Sequence, residues 1–149
     1  MKCNKTASDI DIFTNLADVE NVSVLEGYLA QFPQVIMDTT HIVHGSMYAR
    51  TILIPAGTVL TGALTELDNI CIMCGDITVT TDNGPQRLTG FNVISANSGA
   101  KRAGIAHADT WWTTIIHTNS TNIGDAEDEM TCESSLLQDR IKFQLEGED

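Results

Sequence analysis

The stretch NICIMCGDITVTTDNG, residues 69–84, decides the fold that this sequence predicts. It opens with a continuous apolar run, as a buried strand does, and a glycine ends that run at position 75. Beyond the glycine, Ile77 and Val79 alternate with threonines, which is the pattern of a second strand segment. The final Asp82-Asn83-Gly84 is typical of a hairpin turn that accepts a positive φ. The stretch therefore predicts a buried strand and a hairpin turn, after which the chain runs back antiparallel to that strand.

The same pattern extends outward from His41 to His117, with almost no helix signal. The corners are rich in glycine and proline, as in Pro55-Ala56-Gly57-Thr58 and in the run from Gly99 to Gly104. Both faces of the strand at 46–54 are partly apolar, with Tyr48, Arg50, Ile52 and Ile54 together on one of them. The strands are predicted at 46–54, 58–60, 69–73, 76–80, 87–88, 91–95 and 110–117. Short strands at this spacing predict a mainly β protein with a closed or sandwiched antiparallel sheet.

The two ends of the chain have a different character. Residues 1–40 show apolar residues at helical spacing, and a break near Asn21 with a capping-box pattern at Ser23 and Glu26 predicts two short helices. These helices are expected to pack on the sheet or on a neighbouring subunit. Residues 119–149 are acidic and predict a helix over 125–132, followed by an edge strand over 138–145. We therefore expect one globular domain: an N-terminal helical arm at 1–40, a barrel at 41–118 and an acidic C-terminal extension at 119–149.

Composition excludes some classes of function. The chain has 149 residues and a net charge of −12, and its eight Lys and Arg form no basic stripe, so nucleic acid is not an expected partner. No apolar run is long enough to predict a secretory signal or a membrane span. Synthesis in a reducing cytoplasm and free thiols at the four cysteines are expected.

Two segments resemble the motifs of the cupin family. Residues 55–75 are similar to the first cupin motif, in which a glycine begins a strand with two metal-binding histidines and a glutamate. Residues 90–107 are similar in placement to the second motif, which ends in a histidine. The series Pro-Ala-Gly-Thr, Cys-Gly-Asp-Ile-Thr-Val, Lys-Arg-Ala-Gly and Ala-His-Ala-Asp-Thr-Trp also resembles small cupin-like proteins encoded by tailed bacteriophages and prophages. The resemblance implies a single cupin-like barrel, or jelly roll, with short helices at both ends.

The residues that would hold a cupin metal are mostly replaced. Counted from the first motif, the histidine positions fall near Ala63 and Thr65, and neither side chain offers an imidazole. His107 remains in the second motif, with Asp109 on its face, while Glu66 and Asp68 lie near the glutamate position. One histidine with improvised carboxylates is a poor metal site, so we expect no metal, no cofactor and no catalytic residue.

Cysteine and histidine pairs offer no better site. Cys71 and Cys74, like His41 and His44, are three residues apart, and such positions point to opposite faces of a strand. The two cysteines are therefore expected to be free and buried rather than zinc ligands.

One set of residues predicts a binding site for an anion at the barrel mouth. Basic and aromatic side chains converge there if the strands are regular, and this speculative site comprises Arg50, Lys101, Arg102, His107, Asp109 and Trp112. The favoured alternative is that Arg50 or Arg102 pairs with Asp109 or Asp76 and joins two strands. Adjacent Trp111 and Trp112 must face opposite ways, one into the core and the other outward.

Three classes of function follow. The first is a non-enzymatic structural or assembly protein of a phage particle, synthesised in the host cytoplasm and located in the virion. It would associate with itself and with other phage structural proteins, and not with nucleic acid or membrane. The second is a protein that binds a small anion such as a nucleotide-like signal, and the third is a metal-dependent cupin enzyme. Homo-oligomers are expected because, in a monomer, the apolar strand faces and the terminal strand would be exposed to solvent.

Overall fold

The computed structural model describes residues 2–4, 19–81 and 83–138, and the side chains of 20–81 and 83–138. Its strands are β1 Lys2–Asn4, β2 Thr39–His44, β3 Met47–Ile54, β4 Thr58–Thr61, β5 Asn69–Thr81, β6 Gly84–Ala96, β7 Ala103–Ala106 and β8 Thr110–His117. The helices are α1 Val19–Leu29 and α2 Ile123–Met130, with a 3₁₀ turn at Ser134–Leu136. Neither helix in this part of the chain is long and apolar enough to cross a membrane.

The eight strands form one curled antiparallel sheet. Its neighbours run β1-β4-β7-β5-β8-β3-β2, and β6 pairs with β5 along its other edge. The first half of β5, Ile70–Cys74, pairs with β8, whereas Ile77–Val79 in its second half pairs with β7. Because β5 changes partner halfway along, the sheet curls there into a half-barrel, with β1 and β2 at the two ends of the strand order. The predicted fold class, a cupin-like antiparallel barrel with short terminal helices, is confirmed.

Gly75 is the bend at which β5 changes partner. Its φ is +150°, and a Cβ at this position would lie 2.7 Å from the Cα of Thr110 and 2.8 Å from the carbonyl oxygen of Asp109. The next amide, that of Asp76, donates a hydrogen bond of 3.1 Å to the Thr110 hydroxyl. The absence of a side chain at 75 therefore lets β8 begin directly against the bend. The predicted strands before and after Gly75 are two halves of one continuous strand.

Inward and outward residues alternate along β3 and β8 as the pattern predicted. Tyr48, Ile52 and Ile54 of β3 are buried, and Trp112 of β8 packs against the core cluster that contains Ile52 and Ile54. Trp111 points outward and is 48% exposed. The prediction that the two tryptophans face opposite ways is confirmed, and Trp112 is the inward one.

The N-terminal region covers one side of the sheet. Val22, Leu25 and Leu29 of α1 are buried against Val59 of β4 and Ile105 of β7, so the expected packing of a helix on the sheet is confirmed. The predicted break near Asn21 is wrong, since α1 runs without interruption from 19 to 29. Ser23 therefore lies inside the helix and does not cap it. Residues 5–18, which include the first predicted turn of helix, lie outside the described residues.

The C-terminal helix begins two residues earlier than predicted. Asn122 is its N-cap, because its side-chain oxygen accepts a hydrogen bond of 2.9 Å from the Asp125 amide. Tyr48, Ile116, Ala126, Met130 and Leu137 form a small core between this helix and the barrel. The predicted edge strand lies outside the described residues from 139 onward.

Candidate functional site

A cavity of about 120 Å³ occupies the inside of the barrel. Most of its wall is apolar, and all strands from β3 to β8 contribute residues to it. Trp112 is the one aromatic side chain in this wall. The polar residues of the wall are Arg50, Thr65, Asn69, Cys71, Arg102 and Thr114. The wall contains two arginines but no Asp, Glu or His. It is therefore an apolar pocket with a small number of polar groups, which is the usual make-up of a small-molecule site.

Three of these polar residues form one row across neighbouring strands. Arg50 of β3 lies opposite Thr114 of β8, and Thr114 lies opposite Cys71 of β5. Directly opposed residues have Cβ atoms about 5 Å apart, so the guanidinium, hydroxyl and thiol project side by side into the cavity. The Cys71 thiol donates to the Asn69 side-chain oxygen at 3.2 Å and lies 3.8 Å from the Thr114 hydroxyl.

Arg50 is neutralised in part by the C-terminal helix. Its Nε lies 4.0 Å from an Oε of Glu127, and the two side chains are only 10% and 2% exposed. The predicted partners of Arg50, Asp76 and Asp109, have other contacts. Asp76 accepts two hydrogen bonds from Arg87, at 2.9 and 2.7 Å. Arg50 and Asp76 therefore each form an ion pair, but with Glu127 and Arg87 and not with the predicted partners.

Arg102 is held at the cavity wall through its backbone and through one side-chain contact. Its carbonyl accepts a hydrogen bond of 2.8 Å from the Gly62 amide, and its Nη1 donates one of 3.0 Å to the Thr80 carbonyl. Among residues 20–81 and 83–138, no carboxylate lies within ion-pairing distance of this guanidinium. Arg102 therefore presents to the cavity a positive charge that no described carboxylate balances.

The Cys71 thiol is neutral at physiological pH. Burial raises its pKa above the ordinary value, and the Thr114 hydroxyl, the charge of Arg102 and Trp112 lower it only in part. The nucleophilic form of cysteine is the thiolate, so this thiol is not primed to attack a substrate. Cys74, three residues along the strand, points outward and is exposed. The prediction that the two cysteines diverge is confirmed, while the expectation that both are buried is wrong for Cys74.

The cupin metal positions lie at this cavity, but their side chains do not fit a metal ion. Ala63 and Thr65, which replace the two histidines of the first motif, both line the wall. Asp68 lies outside the wall and accepts a hydrogen bond of 2.8 Å from the Ser98 amide. The residues described contain no group of three or more His, Cys, Asp or Glu that could hold a metal ion. The donor set around this cavity is one of arginine, hydroxyl and amide groups, which suits an anion and not a cation.

Three of the predicted site residues lie away from the cavity wall. Lys101 is 6% exposed, and its ammonium group donates to Glu26 at 3.0 Å and to both Glu133 oxygens at 2.8 and 3.0 Å. His107 shares a hydrogen bond of 2.7 Å with Thr78, and Asp109 accepts one of 2.9 Å from the Ala56 amide. The structure thus brings Arg50, Arg102 and Trp112 together at the cavity wall. Lys101 lines a neighbouring groove beside Arg102, whereas His107 and Asp109 line neither space.

An outer groove of about 580 Å³ shares part of the cavity wall. Ala96, Ala100 and Arg102 line both spaces, so Arg102 lies at the boundary between them. The remaining wall is rich in uncharged polar side chains, namely Thr80, Thr81, Asn83, Gln86, Asn92, Ser95, Asn97 and Ser98. Together the two spaces form a site with a mainly apolar end that contains the two arginines and an end rich in hydrogen-bonding side chains.

The comparisons with known proteins concern the fold. No protein-family model and no curated protein matches the chain. Among solved structures, an RmlC-like cupin family protein with a double-stranded β-helix fold from Methanocaldococcus jannaschii is 14% identical, with a TM-score of 0.47 over 56% of this chain and 81% of that one. KdgF from a Halomonas species is 15% identical, with a TM-score of 0.48 over 56% and 80%. A putative ethanolamine utilization protein Q from Salmonella typhimurium is 13% identical, with a TM-score of 0.47 over 58% and 72%. The resemblance to phage proteins stays a prediction.

Proposed function

We propose that this protein binds a small organic anion in its barrel cavity and does so without catalysing a reaction. The observation that carries the proposal is Arg102, a cation at the cavity wall with no carboxylate partner among the described residues. In a chain of net charge −12, a cationic pocket with no acid in its wall is opposite in sign to the rest of the molecule. A guanidinium recognises carboxylate and phosphate groups through paired hydrogen bonds.

The size and wall of the cavity define the ligand further. A space of about 120 Å³ corresponds to roughly four water molecules at about 30 Å³ each, so it holds an anionic group and a few further atoms. Thr114 and Asn69 add hydrogen-bonding groups beside the arginines, while Trp112 offers an apolar surface. A larger ligand would extend past Arg102 into the outer groove, where amide and hydroxyl side chains suit a polar remainder.

A binding role agrees better with this wall than catalysis does. General acid–base chemistry relies on groups that titrate near neutral pH, and the wall has no His, Asp or Glu. Its one cysteine is kept as the neutral thiol by burial. Arginine stays charged at every accessible pH, so it holds an anion but does not exchange a proton with it.

The experiment is a thermal-shift and calorimetric titration with defined probes. Inorganic phosphate, acetate, succinate and a nucleoside monophosphate are tested on the full chain, each beside a neutral analogue of the same size. A ligand that binds only the folded state raises the unfolding temperature with its concentration. We expect at least one anion to do so, and its neutral analogue to have no effect.

Two variants locate the bound anion. Arg102→Gln removes the cavity charge and should weaken binding at least tenfold, because a charged hydrogen bond is lost. Arg87→Gln is the matched control, since it removes the same charge from an exposed pair with Asp76 on the outside of the barrel. Equal affinity in both variants, or no stabilisation by any probe, would overturn the proposal.

A second candidate function is that of a structural or assembly module in a phage particle. We infer it from the outward-facing apolar side chains of the sheet, among them Phe91, Val93 and Trp111, which offer a surface for attachment. In this role the protein associates with copies of itself and with other structural proteins of the virion. The resemblance of its glycine and proline corners to phage cupin-like proteins supports the same reading.

Mass spectrometry of purified particles tests this second candidate. Particles are collected after induction of a host strain that carries the gene, and the peptides of this chain are quantified against those of a known capsid protein. A fixed stoichiometric ratio is the expected result. Its absence from particles, together with its presence in the host cytoplasm, would reject the structural role and leave the anion-binding proposal standing.

A further inference from the structure

The outward surface of five neighbouring strands forms one continuous patch, which we call the outer face. The strands run β6-β5-β8-β3-β2, and their pairing places outward residues in register across the sheet. One row, for example, runs Val93, Ile72, Thr113, Thr51 and Thr40. The outer face comprises Thr40, Ile42, His44, Met47, Ala49, Thr51, Leu53, Ile70, Ile72, Cys74, Phe91, Val93, Ser95, Trp111, Thr113, Ile115 and His117.

Large apolar side chains of the outer face are open to solvent. Phe91 is 69% exposed, Ile42 64%, Val93 58% and Met47 53%. Ile70 and Trp111 of the two central strands are each about half exposed. The outward side of an antiparallel sheet is ordinarily polar when water covers it. Exposure of this kind over several adjacent strands marks a surface that another protein covers.

The outer face carries no formal charge when its histidines are neutral. None of its residues is Asp, Glu, Lys or Arg, although such residues make up 19% of the chain. Acids stand at its rim: Asp38 is exposed just before β2, and the Glu129 carboxylate lies near His117 and accepts a hydrogen bond from the neighbouring Thr118 hydroxyl. Depletion of charge at the centre of a patch is the compositional sign of a protein interface.

The area of the outer face matches that of a dimer interface. With strands about 4.8 Å apart and alternate residues about 6.8 Å apart, the paired rows cover about 550 Å² of flat surface. The apolar positions account for about 360 Å² of this area, which lies within the range of about 300–600 Å² for the largest apolar patches on monomers. Two such faces together have a flat area of about 1,100 Å². Because protruding side chains add surface to this flat area, the buried total approaches the ~1,200–2,000 Å² of specific complexes.

We propose that the outer face binds a second copy of this chain across a two-fold axis, sheet against sheet. Two copies that each carry a charge of −12 repel one another on average. The outer face is the surface on which they can approach without bringing acids together. Since a two-fold axis pairs one patch with itself, an uncharged apolar patch is complementary to its own copy. Side chains of facing sheets then interdigitate at a separation of about 10 Å.

Sedimentation of the full chain over a range of concentrations tests the proposal. The wild type should have twice the monomer mass of 16.2 kDa. The double substitution Ile70→Lys with Val93→Lys should raise the dissociation constant at least about a hundredfold, because an ammonium group buried without a partner is costly. Lysine also makes the net charge less negative, so a loss of the dimer cannot be due to general repulsion.

Val24→Lys is the matched control. Val24 lies on α1, away from the outer face, and is 70% exposed, so the change in charge equals that of each single lysine of the double variant and that of Ile42→Lys. This variant should remain dimeric. Ile42→Lys, on the opposite side of the outer face, replaces the double variant if circular dichroism shows that the latter is unfolded. A wild type that stays monomeric at all concentrations, or a dimer that both lysine variants leave intact, would overturn the proposal.

Discussion

The two faces of the same strands each depart from the ordinary pattern of a sheet. On β3, β5 and β8 the inward side includes Arg50, Cys71 and Thr114, which are polar groups around a cavity. On the outward side, Ile70 and Trp111 are about half exposed, and the residues of the outer face include no Asp, Glu, Lys or Arg. A sheet with one solvated side normally has apolar residues inward and polar residues outward. Burial alone therefore does not account for the sequence of these strands.

Each departure from that pattern has a cost that an occupant would offset. A guanidinium at a cavity wall loses hydration, and an anion restores its interactions. Exposed Phe, Val, Ile and Trp side chains order water, and a second apolar face releases that water. The two proposals thus explain the two faces of one sheet by the same physical reasoning, and experiments that separate the faces test both.

The largest effect is expected at Gly75, because both faces depend on the bend there. Gly75→Ala would bring a Cβ to 2.7 Å from the Cα of Thr110, at a φ of +150° that side chains rarely adopt. We expect a loss of about 3 kcal/mol or more in the free energy of unfolding, since overpacking and backbone strain add. Urea denaturation followed by circular dichroism measures it.

Gly27→Ala is the control for that prediction. A Cβ at position 27 meets no atom within 4 Å, and the residue lies inside α1. Alanine should therefore stabilise the protein by about 0.5–1 kcal/mol. If Gly75→Ala were as stable as the wild type, the bend of β5 would not need glycine, and the account of how the sheet curls would be wrong.

The second effect concerns Lys101, a cation that the fold pairs internally, in contrast to Arg102 beside it. Lys101→Met leaves Glu26 and Glu133 facing each other without their shared ammonium group. Because Glu133 keeps some contact with solvent, we expect a loss of about 2–3 kcal/mol, at the low end for a broken buried pair. Arg87→Met, which breaks an exposed pair, should leave stability nearly unchanged.

The pH dependence of stability identifies the same contact. Burial favours a higher pKa for Glu133, but the Lys101 ammonium and the Leu64 amide outweigh it and hold the pKa below the ordinary value of 4.5. A carboxyl with a depressed pKa contributes its stabilisation above the unfolded value and loses it as the pH falls through the folded one. The unfolding free energy of the wild type should thus fall more steeply below about pH 4.5 than that of Lys101→Met. Parallel curves would contradict this assignment.

The strands could be predicted from sequence where their side chains alternate and not where small residues replace them. The sequence predicts two strands at nearly their observed bounds, Met47–Ile54 and Thr110–His117, because large residues alternate between their two faces. β7, Ala103–Ala106, was missed as part of a glycine-rich corner. Its Gly104 allows close packing, since a Cβ there would lie 3.3 Å from the Ile77 side chain and from the Thr78 carbonyl. A strand selected for close approach lacks the β-branched residues by which strands are recognised.

The site could be predicted only in part, for a related reason. Strand alternation correctly grouped Arg50 with Ile52 and Ile54 on one face, but it left open which of the two tryptophans points inward. The predicted ion pairs failed because sequence does not tell which helix returns to the barrel, and it is α2 that brings Glu127 to Arg50. Asn69, Cys71 and Thr114 were not recognised as cavity residues. Continuing the same alternation along β5 and β8 would have identified them.

The smallest effect distinguishes the two faces most directly, because each has one of the two tryptophans of the chain. Trp112→Phe leaves Trp111 on the outer face as the one tryptophan, and Trp111→Phe leaves Trp112 at the cavity. We expect a loss of about 1 kcal/mol for Trp112→Phe, since the ring packs in the core, and a change within about 0.5 kcal/mol for Trp111→Phe.

Acrylamide should quench Trp111 more strongly on dilution, when the dimer separates, and Trp112 equally at all concentrations. A bound anion should change the emission of Trp112 alone. If dilution changed the quenching of both tryptophans equally, a single conformational change would affect both faces of the sheet. The separate roles proposed for the two faces would then be wrong.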